Sequence, residues 1–307
     1  MDKKALIIRL SSLGDVVLTC AVFEPLIKRG FEVNLLTLFP YGEVFHYDKR
    51  VKVLQTTKEG LFSRDFLSSL KGYDLYIDLH KNLKTFVLRL LIGGKWKVIK
   101  KQSLRRRLAI RFKSFRRPYS VVDAYLKTIG ESSGKLKLEV NYRLLEEFKS
   151  LIGKDYICIA PGARYIKKRY PYFKDVCREI ASLGYRAVVI GSEEDPCDCE
   201  NALNLCGKVS LKDLPSLIAG AKLLIGNDSA PVHIARAVGT KAVQIFGSTH
   251  PTLGFALSEK EGKVILKGLS CQPCDLHGKG RCKRGDLACL EIEPKEVIKA
   301  CLELLPG

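Results

Sequence analysis

Apolar runs that fit β-strands alternate with helix-like patterns along the whole chain of 307 residues, and this alternation restricts the fold more than any other feature. Residues 5–10 form the first such run, and a helix is predicted over 15–28. The pattern restarts in the middle of the chain, where residues 157–160 form an apolar run that ends in Pro-Gly. Such alternation is typical of α/β sheets with crossover helices. We therefore predict two doubly wound, Rossmann-like domains, 1–151 and 152–307, which face each other across a cleft.

The other predicted elements follow the same alternation. Further strands are predicted over 32–38, 75–79, 187–190, 223–226 and 242–246, and further helices over 119–129, 171–183 and 294–304. In sheets of this class, ligands bind at the carboxyl ends of the strands. The loops that follow the strands are therefore the expected functional segments.

The formal net charge is +19 at pH 7, which predicts an acidic partner. Eleven Lys and Arg residues lie between positions 95 and 117, with no Asp or Glu among them. A solvated helix face is the simpler interpretation, but a helix without counter-charges repels itself unless an anion lies nearby. Nucleic acid, an anionic membrane surface and a phosphorylated substrate are the candidate partners.

The sequence has no apolar run long enough for a membrane-spanning helix. Its first residues lack the long apolar region and the cleavage site of a signal peptide, so we expect a cytoplasmic location. Because the cytosol keeps thiols reduced, most of the eleven cysteines, such as Cys20, Cys158 and Cys177, are expected to be small buried hydrophobes.

Four cysteines near the C-terminus form a cluster in the sequence: Cys271, Cys274, Cys282 and Cys289. The first two have the spacing of a zinc knuckle, but the second pair is separated by six residues, which zinc ribbons do not favour. A structural zinc site, a disulfide and a packed, thiol-rich loop remain alternatives.

The loop after the first predicted strand carries Ser12, Gly14 and Asp15. Asp15 falls in the first turn of the predicted helix, where the helix dipole and free backbone N–H groups stabilise a negative charge. An acid in this position often serves only to stabilise the helix, so a functional role and a structural role are both open.

Two loops of the second predicted domain combine small and charged residues. Residues 160–171 place basic side chains between a strand end and a helix, as binding of a diphosphate requires, although an ordinary basic loop is the alternative. Asp228, Ser229 and Ala230 open a helix, and His233 lies one turn into it. Neither loop has the spacing of a Walker loop or of GxGxxG, which argues against an ATPase and a dinucleotide oxidoreductase.

The order and spacing of these segments resemble glycosyltransferase family 9, the ADP-heptose:lipopolysaccharide heptosyltransferases. The resemblance rests on residues 9–15, 161–171, 227–233 and 246–251, and it extends from the first strand to the final helix. It includes the stretch 78–84, in which Lys84 stands where arginine is commoner. The cysteine cluster resembles that of the heptosyltransferase II branch.

The resemblance implies a GT-B fold, with an acceptor domain followed by a donor domain and a last helix that crosses back to the first domain. It also implies inversion in a single displacement, with Asp15 as the base that takes the acceptor's proton. The expected donor-binding residues are Lys168 for the leaving diphosphate, together with Arg164, Asp195, Asp228, Ser229, Ala230 and His233. The expected acceptor-binding residues are Ser12, Gly14, His80, Asn82, Lys84, Arg105, Arg106 and Arg107.

The expected partners are ADP-heptose, a phosphorylated lipid A–core acceptor and the inner membrane surface, to which the basic run would bind peripherally. No Asp-x-Asp motif occurs, so no metal and no cofactor are expected. The alternatives are a related glycosyltransferase with another nucleotide-sugar donor, a non-catalytic sugar-binding protein and a nucleic-acid-binding protein. Nucleic acid is disfavoured because only Trp96, Phe112 and Phe115 interrupt the basic run with aromatic rings. The hydroxyl that is extended and the oligomeric state remain open.

Overall fold

The structure is a computed structural model that describes residues 3–195 and 199–305. Eleven strands run through these residues: β1 (Lys3–Ile8), β2 (Phe31–Leu38), β3 (Lys52–Thr56), β4 (Leu75–Asp78), β5 (Trp96–Val98), β6 (Tyr156–Ala160), β7 (Arg186–Val189), β8 (Leu203–Asn204), β9 (Leu223–Asn227), β10 (Ala242–Phe246) and β11 (Gly262–Leu266). The α-helices are α1 (Leu13–Val17), α2 (Phe23–Lys28), α3 (Arg64–Ser69), α4 (Leu83–Ile92), α5 (Ser103–Arg111), α6 (Val121–Ile129), α7 (Tyr142–Ile152), α8 (Phe173–Ser182), α9 (Leu214–Gly220), α10 (Ala230–Val238) and α11 (Pro294–Leu302). Within the described ranges, no helix combines the length and the apolar character that crossing a bilayer requires.

The chain forms two compact units. The first contains the residues up to Lys101 together with Val121–Glu139, and the second contains Gln102–Ser120 together with the chain from Val140 onwards. This division differs from the predicted boundary at 151/152, because α7 packs on α9 of the second unit. The backbone N–H of Asn141 donates to the Ser216 hydroxyl at 3.1 Å, which fixes the start of α7 there.

The first unit is built on a parallel sheet of five strands in the order β3-β2-β1-β4-β5. From β1, the chain adds β2 and β3 on one side of the sheet and then β4 and β5 on the other side. The loops that follow β1 and β4 therefore run in opposite directions, and sheets of this class bind ligands at this position. One apolar core packs on this sheet around Leu6, Ile8 and Leu36.

The second unit has a parallel sheet of six strands in the order β11-β10-β9-β6-β7-β8. Its strand order reverses between β6 and β9, so this sheet offers an equivalent position for a ligand. The core of the unit combines strand residues such as Ile157 and Ile225 with α8. The prediction of an α/β fold with two such sheets is confirmed.

The helices of the structure differ from the predicted ones at the start of the chain. The helix expected over 15–28 is divided into α1, a 3₁₀ turn at Leu18–Val22 and α2. Pro25 explains the break, since a proline lacks the N–H that a continuous helix would need and fits only in the first turn of a new one. The last helix, α11, packs in the core of the second unit through Val297 and Cys301. Its expected return to the first unit stays a prediction. The basic run 95–117 contains a strand, a helix and a 3₁₀ turn.

Cys177 differs from its predicted chemistry, because the structure joins it to Cys199 in a disulfide. Cys177 belongs to α8, and Cys199 lies in the loop after β7. The two sulfurs become neighbours only when this loop folds against α8. A small buried hydrophobe was therefore the wrong expectation for Cys177, whereas Cys20 and Cys158 are buried as predicted.

Candidate active site

The first candidate cluster lies where β1 and β4 end. The guanidinium of Arg9 lies 2.6 Å from a carboxylate oxygen of Asp15, and the Ser12 hydroxyl donates to the same carboxylate at 3.0 Å. A second nitrogen of Arg9 donates to the Leu79 carbonyl at 2.8 Å, which connects the ends of the two strands. Ser12 is the N-cap residue of α1, so Asp15 lies in the first turn of this helix as predicted. The buried Gly14 lies between them.

The electrostatics of this cluster are dominated by Arg9. Burial opposes the charged form of Arg9, but the nearby Asp15 raises the pKa of the guanidinium above its usual value. His80 follows β4 and lies close to the same groups. Burial, Arg9 and Lys101 together lower the pKa of His80 to about 3, so its imidazole is neutral at physiological pH. The structure thus brings Ser12, Asp15 and His80 together around an arginine.

Asn82 and Lys84, the other predicted acceptor residues of this unit, lie at the start of α4. The Asn82 side chain accepts from the Thr85 backbone N–H at 3.0 Å and forms a capping box with Thr85. Lys84 lies near Glu59, whose pKa it helps to lower after the stronger effects of hydrogen bonds within the Glu59 turn. The helix cap explains Asn82 structurally, and it holds the loop that carries His80 in place.

The second candidate cluster lies where β6 and β9 end. The ammonium of Lys168 lies 2.9 Å from a carboxylate oxygen of Asp228, which is buried. Asp228 also accepts from the Thr249 hydroxyl at 2.8 Å and from the Gln244 amide at 3.2 Å. Burial opposes ionisation of Asp228, but Lys168 and these hydrogen bonds hold the pKa of the carboxyl below its usual value of 3.8. Asp228 is therefore a carboxylate at physiological pH.

Buried hydroxyls and a helix N-terminus adjoin this ion pair. Ser229 is the N-cap residue of α10, and Ala230 is its first residue. The hydroxyls of Ser229 and Ser248 are buried, and neither has a hydrogen-bond partner within residues 3–195 and 199–305. A buried polar group without a partner is rare in proteins, and a bound ligand is one way to satisfy it. His233 is buried next to Phe255, one turn into α10.

Asn227 holds the loop that carries Lys168. Its amide donates to the Pro161 carbonyl at 2.7 Å, and its carbonyl oxygen accepts from the Tyr170 backbone N–H at 3.0 Å. One side chain at the end of β9 therefore fixes both ends of the segment 161–170. Sequence analysis placed Asn227 in a motif but gave it no role, because this role depends on a segment more than fifty residues away.

Asp195 lies against two glycines at the ends of β6 and β7. A Cβ atom on Gly162 would lie 2.3 Å from the carboxylate carbon of Asp195, and one on Gly191 would lie 2.8 Å from a carboxylate oxygen. The Ser192 backbone N–H donates to Asp195 at 2.9 Å. Both glycines are therefore required by the position of this carboxylate. Arg169, which was not predicted, lies 3.9 Å from it.

The remaining predicted arginines contact aromatic rings or are exposed to solvent, and Arg106 also lies over Phe255, which adjoins His233. Arg164 is exposed and stacks on Tyr165, at 5.5 Å from the ring centroid. Arg105 and Arg106 both stack on Tyr119, so their guanidinium groups stabilise the basic segment itself. Arg107 is exposed to solvent. The structure assigns residues 102–120 to the second unit, whereas sequence analysis placed these arginines in the acceptor domain.

The four C-terminal cysteines line one small cavity of about 20 Å³, together with Lys167 and Ser248. The ammonium of the buried Lys167 lies 3.7 Å from the Cys274 sulfur. Where the structure describes the chain, no three His, Cys, Asp or Glu side chains are arranged to hold a metal ion. All four cysteines are free thiols in the structure.

Comparison with known proteins identifies the family. Residues 66–280 match the family described as Glycosyltransferase family 9 (heptosyltransferase). The chain belongs to glycosyltransferase family 9. The predicted family, and with it the class of enzyme, a glycosyltransferase, is confirmed.

One similar relative is lipopolysaccharide heptosyltransferase 3 of Escherichia coli, which is 37% identical over 111 residues. The matched region covers 32% of this chain and only 33% of the length of that relative. Among solved structures, a family 9 glycosyltransferase of Veillonella parvula has a TM-score of 0.78 and 22% identity, with 99% of this chain and 98% of the other covered. The ADP-heptose lipopolysaccharide heptosyltransferase II of E. coli has a TM-score of 0.74 and 18% identity, with 98% of each chain covered. These two similarities support the predicted GT-B fold class.

Proposed function

We propose that this chain transfers a heptosyl group from ADP-L-glycero-D-manno-heptose to the inner core of lipopolysaccharide. The observation that carries the proposal is the ion pair of Lys168 and Asp228 at the ligand-binding edge of the second sheet. It lies beside two buried hydroxyls that have no partner in the described part of the chain. Family 9 membership and the relatives named heptosyltransferases support the choice of sugar.

In this proposal, the second unit binds the donor. Lys168 keeps one N–H for Asp228 and directs its others to the β-phosphate, where negative charge grows as the bond between the anomeric carbon and the phosphate oxygen breaks. Backbone N–H groups at the start of α10 and the Ser229 hydroxyl add neutral donors. Asp228 accepts hydrogen bonds from the sugar hydroxyls, with His233 buried behind it. Asp195 lies at the adjacent strand ends, where the ribose is expected.

Asp15 acts as the base in the same proposal. The acceptor hydroxyl attacks the anomeric carbon with inversion, its proton passes to the Asp15 carboxylate, and ADP leaves. Arg9 and Ser12 hold this carboxylate in place, and a carboxylate can accept a proton. The neutral imidazole of His80 adds a polar group without adding a positive charge, so it does not compete with Arg9 for the carboxylate.

The acceptor in this proposal is a heptosyl-Kdo2-lipid A-type molecule at the cytoplasmic surface of the inner membrane. Its phosphate groups match the positive charge of the basic segment. Arg107, Arg111, Lys113 and Arg117 are exposed there and are available to anions.

Direct assay tests the proposal. Purified protein is incubated with ADP-heptose and either Kdo2-lipid A or its singly heptosylated form, and product mass and ADP release are followed. One acceptor is expected to gain a single heptose with one ADP released per transfer. If heptose is transferred to neither acceptor and the protein turns over another nucleotide sugar, heptose is not the donor sugar.

A further inference from the structure

Helix α4 exposes an apolar face to solvent. Leu83, Phe86, Leu90 and Leu91 are 77%, 48%, 69% and 50% exposed, respectively. The opposite side of the helix, with Thr85 and Leu88, is buried. Single exposed leucines are common on protein surfaces, but a cluster of large apolar side chains on one helix indicates an interaction surface.

The exposed residues form a continuous stripe. At about 100° per residue, the positions 83, 86, 87, 90 and 91 cover about 140° of the helix circumference. Thr85 and Leu88 fall outside this arc, and so do the two cationic residues of the helix, Lys84 and Arg89. The helix is therefore apolar on its core side and apolar again on its solvent side, with one cation along each edge.

The chain around α4 in the first unit is rich in cations. From Asp78 to Lys101 it contains seven Lys and Arg residues and no further Asp or Glu. Two carboxylates lie near the cations of the helix. The buried Asp78 lies 3.8 Å from Arg89, and Glu59 lies near Lys84. Lys81 and Lys95, which flank the helix, are exposed.

We propose that α4 docks on an anionic phospholipid bilayer, with Phe86, Leu90 and Leu91 inserted at the depth where head groups meet acyl chains. Apolar residues on one face and cations beside them are the features of helices that lie in this interface. The stripe on a helix about 15 Å long is far smaller than the roughly 800 Å² that each partner buries in a stable protein interface, which argues against a second copy of the chain. This shallow insertion goes beyond the purely electrostatic adhesion expected for the basic run.

The inference deepens the proposed function, on which it rests for the lipid-linked acceptor. Helix α4 begins directly after the Asn82 cap, and His80 in the preceding loop lies near Asp15. A bilayer that contacts α4 therefore lies close to the loop where the acceptor hydroxyl is proposed to lose its proton.

Vesicle binding of the full chain tests the inference. The variant F86S/L90S/L91S is compared with wild type by sedimentation with vesicles of phosphatidylcholine, with or without phosphatidylglycerol. The matched control is Leu151→Ser, since Leu151 is 79% exposed on α7. Wild type and control are expected to bind the anionic vesicles at least about tenfold more tightly than the triple variant, and neutral vesicles weakly. Equal thermal melting of all three proteins verifies that the variants are folded.

Three outcomes would overturn the inference. The first is that the triple variant binds anionic vesicles as tightly as wild type. The second is that wild type binds neutral and anionic vesicles equally. The third is that wild type is a dimer, which the triple substitution dissociates without altering vesicle binding. Leu90→Trp provides an independent readout, because its emission should shift to shorter wavelength with anionic vesicles. Unshifted emission contradicts insertion.

Activity separates this inference from the proposed function. The triple variant is expected to transfer heptose to a delipidated, water-soluble core acceptor at the wild-type rate and to lose at least about tenfold on acceptor embedded in vesicles. If the protein binds vesicles through α4 but transfers heptose to neither acceptor, the docking inference is supported and the proposed reaction is wrong. If the triple variant loses the same factor in transfer rate on both acceptors, α4 has a structural role and the docking inference is wrong.

Discussion

The two sheets carry similar ion pairs at equivalent positions. The pairs differ in which member is more buried, the cation or the anion. In the first unit, the cation Arg9 is the more buried member, with 9% of its side chain exposed against 17% for Asp15. In the second unit, the anion Asp228 is the more buried member, with 7% exposed against 16% for Lys168. The first sheet therefore presents a carboxylate, and the second presents an ammonium group.

This difference shows how one topology supplies two kinds of chemistry. Both pairs lie where the strand order reverses, so the backbone gives each sheet a similar place for a ligand. The buried partner then decides which charge remains accessible. A carboxylate held by an arginine suits the acceptance of a proton, and a lysine held by an aspartate suits the binding of a diphosphate.

The largest expected effect comes from neutralising the carboxylate of the first pair. Asp15→Asn should lower kcat by about 10²–10⁴-fold, the usual contribution of a general base, and should leave the Kd for ADP unchanged. Heptose transfer and calorimetric ADP binding measure the two quantities. Asp65→Asn, in the first turn of α3, is the matched control and should retain wild-type activity. If Asp15→Asn transfers heptose at the wild-type rate, Asp15 is not the base, and the proposed difference in chemistry between the two pairs is wrong.

Removing the accessible charge of the second pair should affect binding and stability together. Lys168→Ala should weaken ADP binding about 10–100-fold and lower the free energy of unfolding by about 1–3 kcal/mol, because Asp228 stays buried without its cation. Lys174→Ala is the matched control, since Lys174 lies 2.9 Å from Glu200 in an exposed pair of the same unit. The control should cost less than about 1 kcal/mol. Equal losses in both variants would show that burial of Asp228 is unimportant.

A smaller effect is expected at the glycine that accommodates Asp195. Gly162→Ala should lower the free energy of unfolding by about 1–3 kcal/mol, since the added methyl group overlaps the Asp195 carboxylate. It should also raise KM for the donor. The double variant G162A/D195A should recover the stability but not the KM, as chemical denaturation and initial rates would show. If the double variant is no more stable than Gly162→Ala, the steric explanation is wrong.

The smallest effect concerns the pH dependence of the first unit. The folded protein lowers the pKa of His80 from 6.5 to about 3, so the unfolded chain binds a proton that the folded chain does not between these values. The contribution of His80 to stability is complete above pH 6.5 and is lost as the pH falls towards 3. His80→Gln should therefore show a flatter decline of Tm in this range. Titration of the His80 imidazole between pH 5 and 8 by NMR would contradict the neutral state.

The sequence was sufficient for the fold class and for the three loops that carry the candidate sites. Periodicity identifies strands such as β10, whose predicted and observed bounds agree, because a buried run leaves a clear apolar pattern. It missed β3 and β5, which are only partly buried and carry polar residues. The motif residues Asp15, Lys168 and Asp228 were singled out because each lies shortly after a predicted strand, and their roles stay predictions.

Partners across the sheet were harder to predict. Arg9 and Gln244 both interrupt otherwise apolar strands, and this interruption was the available signal that each side chain has a buried polar partner. Which partner it is depends on strand order, which local patterns do not specify. Arg105 and Arg106 show the same limit, since the sequence does not reveal that Tyr119 contacts both side chains.

The two hydrogen bonds of Asn227 at the ends of the segment 161–170 have a consequence for the proposed binding of ADP. Since the protein's own hydrogen bonds hold both ends of this segment, part of its conformational entropy is lost during folding and not on binding. If the segment binds the nucleotide as proposed, binding needs little further ordering of these two ends.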